Sequence, residues 1–152
     1  MTERGSAWGR VQLARHPARP YSLDYITRLA PDFEELRGDR MTGDDRALVA
    51  GIGTWRGQTT VFFGQQKGRT LKDRIERSFG MMHPQGFRKA VRLAAQAAKF
   101  RFPIISLIDT PGAYPGRAAE EDGIASAIAI AIRQWFHVDT PVVAAVVGEG
   151  GS

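Results

Sequence analysis

The chain reads as an α/β protein with parallel strands, and three observations lead there. Short apolar runs (ALVAGIG, TTVFFGQ, IISLI and VVAAVV) alternate with longer stretches of helical period. The intervals before IISLI and VVAAVV are long enough for the crossovers that parallel neighbours require. Of 152 residues, 43% are hydrophobic and 24% charged, which suits one buried core and argues against wholesale disorder.

Residues 1–40 form a lead-in punctuated by His16-Pro17 and Arg19-Pro20, because proline disfavours helix at the residue before it. Ser22 or Asp24 can cap a short helix through Leu29, which Pro31 interrupts. The polar, turn-rich DFEELRGDRMTGDDRA reads as connection rather than core. The main domain then spans residues 41–152. Its first two apolar runs flank Trp55-Arg56-Gly57-Gln58 and predict a β-hairpin. A glycine-containing turn and a short basic helix follow in QQKGRTLKDRIERSFGMM.

From Pro84 to Arg101, Phe87, Val91, Ala94, Ala98 and then Phe102 recur at helical spacing, with Arg88, Lys89, Arg92 and Lys99 on the other face. Pro103 ends that helix, and Ile104 to Ile108 reads as a fully buried strand. After DTPGAYPG, a second helix is expected over roughly Ala118 to Phe136, with Ile124, Ile128, Ala131, Ile132 and Trp135 as its apolar stripe. Pro141 opens another buried strand, VVAAVV, which runs into GEGGS. Such a turn commonly feeds a helix whose free N–H groups bind an anion or oxyanion. No helix follows Ser152, so the chain reads as incomplete at this end.

Composition narrows the function. With no cysteine there is neither a disulfide framework nor a thiolate zinc site, which fits a reducing cytoplasm. The first residues lack the apolar core of a signal peptide, and no apolar run is long enough to span a bilayer. The net charge of +5 suggests nucleic acid, yet basic residues are dense only between Lys67 and Arg92. A local site for ligand phosphates or an acidic partner subunit has equal standing.

Four patterns carry possible chemistry. IISLIDTPG resembles the magnesium-proximal loop of GTPases, but no G-x-x-x-x-G-K-[ST] loop accompanies it, and the absence of asparagine excludes the Asn-Lys-x-Asp motif. GQQKGRT (Gly64 to Thr70) is either a loop that approaches a ligand, with Lys67, Arg69 and Lys72 adding positive charge, or a solvated turn. DTPGAYPG (Asp109 to Gly116) is stiff and lies beyond the carboxyl end of a strand, where α/β proteins collect ligands. It also reads as a tight connection with Asp109 capping the turn. Glu120, Glu121 and Asp122 complement a helix dipole; paired carboxylates also suggest acid–base work, but adjacent helical positions point in different directions, which favours the dipole reading. His16, His83 and His137 have no metal-ligand spacing, so no metal and no catalytic role is assigned to them. Trp55, Trp135 and the phenylalanines fit core or interface packing.

In order, ARHPARPYSLDYI, FEELRGDR with DDRALVAGI, GQQKGRTLKDRI, FGMMHPQGFRKAVRLA, FPIISLIDTPGAYPG, AAEEDG and PVVAAVVGEGGS resemble the alpha-subunit family of acetyl-coenzyme A carboxylase carboxyltransferase. The resemblance covers roughly residues 13–152. It implies a crotonase/ClpP-like spiral of β-β-α units, incomplete on the carboxy-terminal side, and a beta subunit of the same fold in an alpha2beta2 heterotetramer. It also implies that carboxybiotin, a co-substrate on biotin carboxyl carrier protein that is charged by biotin carboxylase, gives its carboxyl group to acetyl-CoA. Malonyl-CoA for fatty acid biosynthesis results.

The resemblance further implies that the loops Gly64–Arg69, Asp109–Gly116 and Gly148–Gly151 line the active site. Substrate contacts fall on Lys67, Gly68, Arg69, Lys72, Pro111, Gly112, Ala113, Tyr114 and Gly116. Gly150 and Gly151 lie near an oxyanion turn, since enolate and ureido oxyanions need N–H donors rather than a Ser-His pair or a metal. The family continues with Gly-Gly-Ala and a helix, which puts the main oxyanion donors beyond Ser152 and leaves this chain inactive alone. Against the enzyme stands a non-catalytic alpha-like chain that serves in assembly or binds nucleic acid through its Lys67 to Arg92 patch.

Overall fold

The computed structural model describes residues 5–151, in which five strands form one sheet and lie side by side in chain order. The expected hairpin is present: β2 (Leu48–Trp55) and β3 (Gln58–Gln65) pair antiparallel. Their link, Arg56-Gly57, has φ of 50° and 77°, the two positive values that a tight two-residue hairpin turn requires. From β3 the chain passes through helices α3 (Leu71–Glu76) and α4 (Pro84–Phe100) to β4 (Ile104–Thr110), parallel to β3. Helices α5 (Arg117–Glu121) and α6 (Ile124–Trp135) then lead to β5 (Val142–Gly150), parallel to β4.

Alternating side chains divide the core between the two sheet faces. Leu48, Ala50, Val61, Phe63 and Ile104 meet Ala90, Leu93, Ala94 and Ala97 of α4. Val49, Phe62 and Leu107 face the other way, onto Ile26 and Ala30 at helix α2 (Ser22–Leu29). Trp135 joins the first cluster edge-on to Phe63, and Trp55 joins the second.

Several expectations are corrected. The polar segment after Pro31 is not mere connection: Glu34–Glu35 forms β1, antiparallel to β2, and Asp39 and Asp45 are buried. Asp39 accepts the N–H groups of Met41, Thr42 and Gly43 and the Arg88 guanidinium. Burial alone would raise its pKa, but these donors together hold it well below the usual carboxylate range. Lys89, expected on a polar face, is fully buried and donates to Asp44 at 2.6 Å and to the Asp45 carbonyl at 2.8 Å. The inward face of α4 therefore centres on Ala90, Leu93 and Ala97, while Val91 and Ala98 are half-buried.

The single helix expected from Ala118 to Phe136 is two helices, broken where Gly123 adopts φ 77°. Ile124, Ala127 and Ala131 are the buried positions of α6, whereas Ile132 is exposed. Nor is VVAAVV fully buried. It lies at the sheet edge with Val142, Val143 and Val146 exposed, and only Ala145 and Val147 reach the second cluster. Helix α1 (Ala7–Ala14) was hidden in the lead-in; its sequence signal is Ser6, which accepts the Gly9 N–H as N-cap. No helix among the described residues is long and apolar enough to cross a membrane.

Candidate active site

Strands β3, β4 and β5 all point their carboxyl ends the same way, so the segments that follow them meet. At the centre is Asp109, which lies within β4, one residue before its end, and is fully buried. Arg19 Nη2 donates to both of its carboxylate oxygens, at 2.7 and 2.6 Å. Lys67 Nζ lies 3.2 Å from Oδ1, and the Glu149 N–H donates to the same oxygen at 3.1 Å. Lys67 also pairs with the Glu149 carboxylate, which Arg15 Nε reaches at 2.8 Å. One chain of charges, Arg15–Glu149–Lys67–Asp109–Arg19, thus ties the lead-in to the ends of all three strands.

Burial pushes the Glu149 carboxyl up, but its bonds from Lys67 and Arg15 together outweigh that and leave it lowered. The carboxylate is therefore charged at neutral pH, as its two ion pairs require. Gly148 permits this assembly, since a side chain there would strike the Asp109 carboxylate and the Arg19 guanidinium.

The remaining site candidates divide. Gly151 packs on Pro111 and Gly112, and its N–H donates to the Thr110 carbonyl at 2.8 Å, so that amide is already occupied. Gly150 ends β5 opposite Thr110, and Ser152 lies outside the described residues. Thr110 Oγ1 folds the next loop by donating to the Gly112 carbonyl and accepting the Gly112 N–H. The Tyr114 ring lies over Gly116, where a side chain would collide with it. Gly112 and Ala113 border an apolar cavity of ≈ 380 Å³ between sheet and helices, walled by Phe63, Met82, Ile128 and Trp135.

Gly68 is buried because the α3 backbone at Asp73 and Arg74 packs where its side chain would be. Arg69 pairs with Asp24 at 2.5 Å and lies 4.7 Å from the centre of the Tyr21 ring. Lys72 is exposed and forms no ion pair among the described residues.

Much of the basic stretch from Lys67 to Arg92 is turned inward. Arg88 and Lys89 hold Asp39 and Asp44, Arg92 donates to the Gly38 carbonyl, and Arg77 to that of Arg46. That leaves little of it as a groove for nucleic acid. One serine–histidine contact has no signal in the sequence: Ser78 Oγ lies 3.0 Å from His83 Nε2, and the His83 ring stacks on Tyr114 at 4.1 Å. These rings join the loop after α3 to the loop after β4.

A family model described as acetyl co-enzyme A carboxylase carboxyltransferase-like matches residues 2–152. The chain belongs to that family. The acetyl-coenzyme A carboxylase carboxyl transferase subunit alpha of Thioalkalivibrio sulfidiphilus is 55% identical over 147 residues, covering 97% of this chain and 46% of that protein. Its counterpart from Yersinia enterocolitica is 53% identical over 146 residues, with 96% and 46% covered. The chain thus spans about half the length of these curated relatives.

Among solved structures, the beta subunit of geranyl-CoA carboxylase from P. aeruginosa superposes with a TM-score of 0.68 at 21% identity, over 88% of this chain and 23% of that one. A transcarboxylase 12S structure gives 0.63 at 17% identity, over 92% and 28%. At these identities the likeness is one of fold, and the fold is the crotonase-like α/β arrangement, of which the chain matches part.

Proposed function

We propose that the chain supplies one wall of a carboxyltransferase active site, in which carboxybiotin gives its carboxyl group to acetyl-CoA and malonyl-CoA is formed for fatty acid biosynthesis. The observation that carries this reading is the meeting of Gly64–Arg69, Asp109–Gly116 and Gly148–Gly151 around the Lys67–Asp109–Glu149 cluster, in a chain of the carboxyltransferase-like family. In this reading carboxybiotin reaches the site on biotin carboxyl carrier protein after biotin carboxylase has charged it. The beta subunit completes the site in an alpha2beta2 assembly in the cytoplasm.

The chemistry balances without a nucleophilic side chain. The N–carboxyl bond of carboxybiotin breaks to release carbon dioxide, and the ureido nitrogen takes a proton from the acetyl methyl group. The resulting enolate carbon then bonds carbon dioxide. Enolate and ureido oxyanions need fixed N–H donors and positive charge. The loop amides of Ala113 and Gly116 are assigned to that role, because those of Gly112, Tyr114, Glu149 and Gly151 are already held by Thr110 Oγ1, the Met82 carbonyl, Asp109 and the Thr110 carbonyl. Lys67, tethered by two carboxylates, fixes the loop and contributes field rather than a free cation. Lys72 is the exposed cation left to meet an anionic substrate group.

The test uses these residues in a chain extended to the length of the relatives and mixed with a carboxyltransferase beta subunit. Malonyl-CoA and biocytin should yield acetyl-CoA and carboxybiocytin, and Gly148→Ala should abolish the yield. No turnover in that mixture, with the subunits shown to associate, would sink the reading.

A further inference from the structure

Beside the ion-pair chain lies a second cavity, of ≈ 370 Å³, which shares Lys67, Pro111 and Glu149 with the proposed carboxyl-transfer site and extends to residues that site does not use. Arg15, Arg19, Lys67, Arg74, Phe79 and Glu149 line it, with Tyr21 and Pro111. Four cations there face two carboxylates, Glu149 in the wall and Asp109 beneath it, a surplus of two positive charges. Arg19 and Lys67 are occupied by the buried acids. Arg15 is different: its side chain is 62% exposed, and among the described residues Glu149 is its one ion-pair partner. Arg74 pairs with no carboxylate among the described residues, and its Nε donates to the Gly68 carbonyl at 3.1 Å. Guanidinium groups of this kind match phosphate oxygens in both charge and fork geometry.

Phe79 is the independent observation. It has φ 56°, a left-handed conformation costly for an aromatic residue, between Ser78 at 45° and Gly80 at 82°. The turn is held there because Gly80 packs against the Asp109 carbonyl and the Lys67 side chain. Strained backbone thus presents a ring that is 44% exposed to a cavity with surplus positive charge. A flat ring system carrying a dianion matches both features.

We propose that this cavity binds a nucleotide-type phosphate ester, its phosphate between Arg15 and Arg74 and its base against Phe79. The proposal does not depend on carboxyl transfer, and its test needs none. Adenosine monophosphate, inorganic phosphate and adenosine are titrated separately into the 152-residue chain by calorimetry. The expected result is saturable binding of the monophosphate, weakened about tenfold or more by Arg74→Gln. Phe79→Leu should weaken the monophosphate and leave inorganic phosphate unchanged, and raised salt should weaken both anions.

Absence of saturation up to about 10 mM monophosphate overturns the proposal, as does equal affinity in Arg74→Gln with the melting temperature unchanged. Adenosine binding as tightly as its monophosphate refutes the phosphate assignment. Inorganic phosphate matching the monophosphate, with Phe79→Leu silent, refutes the base assignment. Should Arg74→Gln unfold, Arg15→Gln, at a largely exposed position, carries the same comparison. Turnover without this binding would sink the proposal alone, and binding without turnover would sink the carboxyltransferase reading alone.

Discussion

Replacing Asp109 by asparagine probes the cluster on which the site is built. The carboxylate is fully buried, and the Arg19 and Lys67 side chains beside it are 10% and 15% exposed. Asparagine keeps one acceptor oxygen but turns an N–H₂ group toward an Arg19 nitrogen that now donates to both oxygens. Removing one partner of a buried ion pair costs about 3–5 kcal/mol, because the remaining charge is left without compensation. The retained oxygen places the expected loss near the lower end, about 3 kcal/mol. For a chain of this size, that lowers the melting temperature by roughly 6–12 °C. Urea unfolding followed by circular dichroism measures it. In a double-mutant cycle with Arg19→Met, the pair should couple by about 1 kcal/mol or more. A loss below about 1 kcal/mol, or strict additivity with Arg19→Met, would show that Asp109 does not hold the three strand ends together.

Other perturbations have different signatures. Gly148→Ala places a methyl group against Asp109 and Arg19 and should cost about 1–3 kcal/mol in the same assay, whereas Gly150→Ala, which meets only ordinary contact with the Val146 side chain, should cost far less. Gly123→Ala forces a side chain into φ 77° at the start of α6, and a loss of about 1–2 kcal/mol is expected. Acid titration separates two neighbouring carboxylates. Asp39 has a lowered pKa, so its stabilisation is complete above its unfolded value of about 3.9 and is lost as pH falls through the lower folded value. Asp45 is raised, chiefly by burial, so its contribution has the opposite sign and favours folding at low pH. In urea midpoints measured from pH 7 to pH 2, Asp39→Asn should therefore flatten the fall below about pH 4, whereas Asp45→Asn should steepen it just above about pH 4, between the unfolded value and the raised folded one.

Local physics made much of this fold legible. Two apolar runs and the Arg56-Gly57 turn between them located the hairpin, and proline punctuation with helical spacing located α4 and β4. What escaped depends on partners distant in sequence. Nothing near Lys89 reveals that Asp44 will bury its charge, 45 residues earlier. A helical stripe shows which positions are apolar, but not that a cation can occupy the most buried one. VVAAVV carries the composition of a central strand, yet burial depends on what packs beside it, and its place at the sheet edge is not a local property.

The same limit shaped the site. Its glycine loops were visible because backbone chemistry is local; its electrostatic centre was not. Asp109 fits a turn-capping role within DTPGAYPG, and Arg19, its main partner, lies 90 residues earlier in a proline-punctuated lead-in. Lys67, Arg69 and Lys72 looked equivalent as basic residues, yet the fold gives them three fates. Lys67 bridges two carboxylates, Arg69 is held by Asp24 and Tyr21, and Lys72 stays exposed. A cation already neutralised by protein acids attracts a ligand less than an unpaired one does. Charge density along the chain therefore overstated the pull of Lys67 and Arg69, and it gave no hint that Arg15 and Arg74 would meet across one cavity.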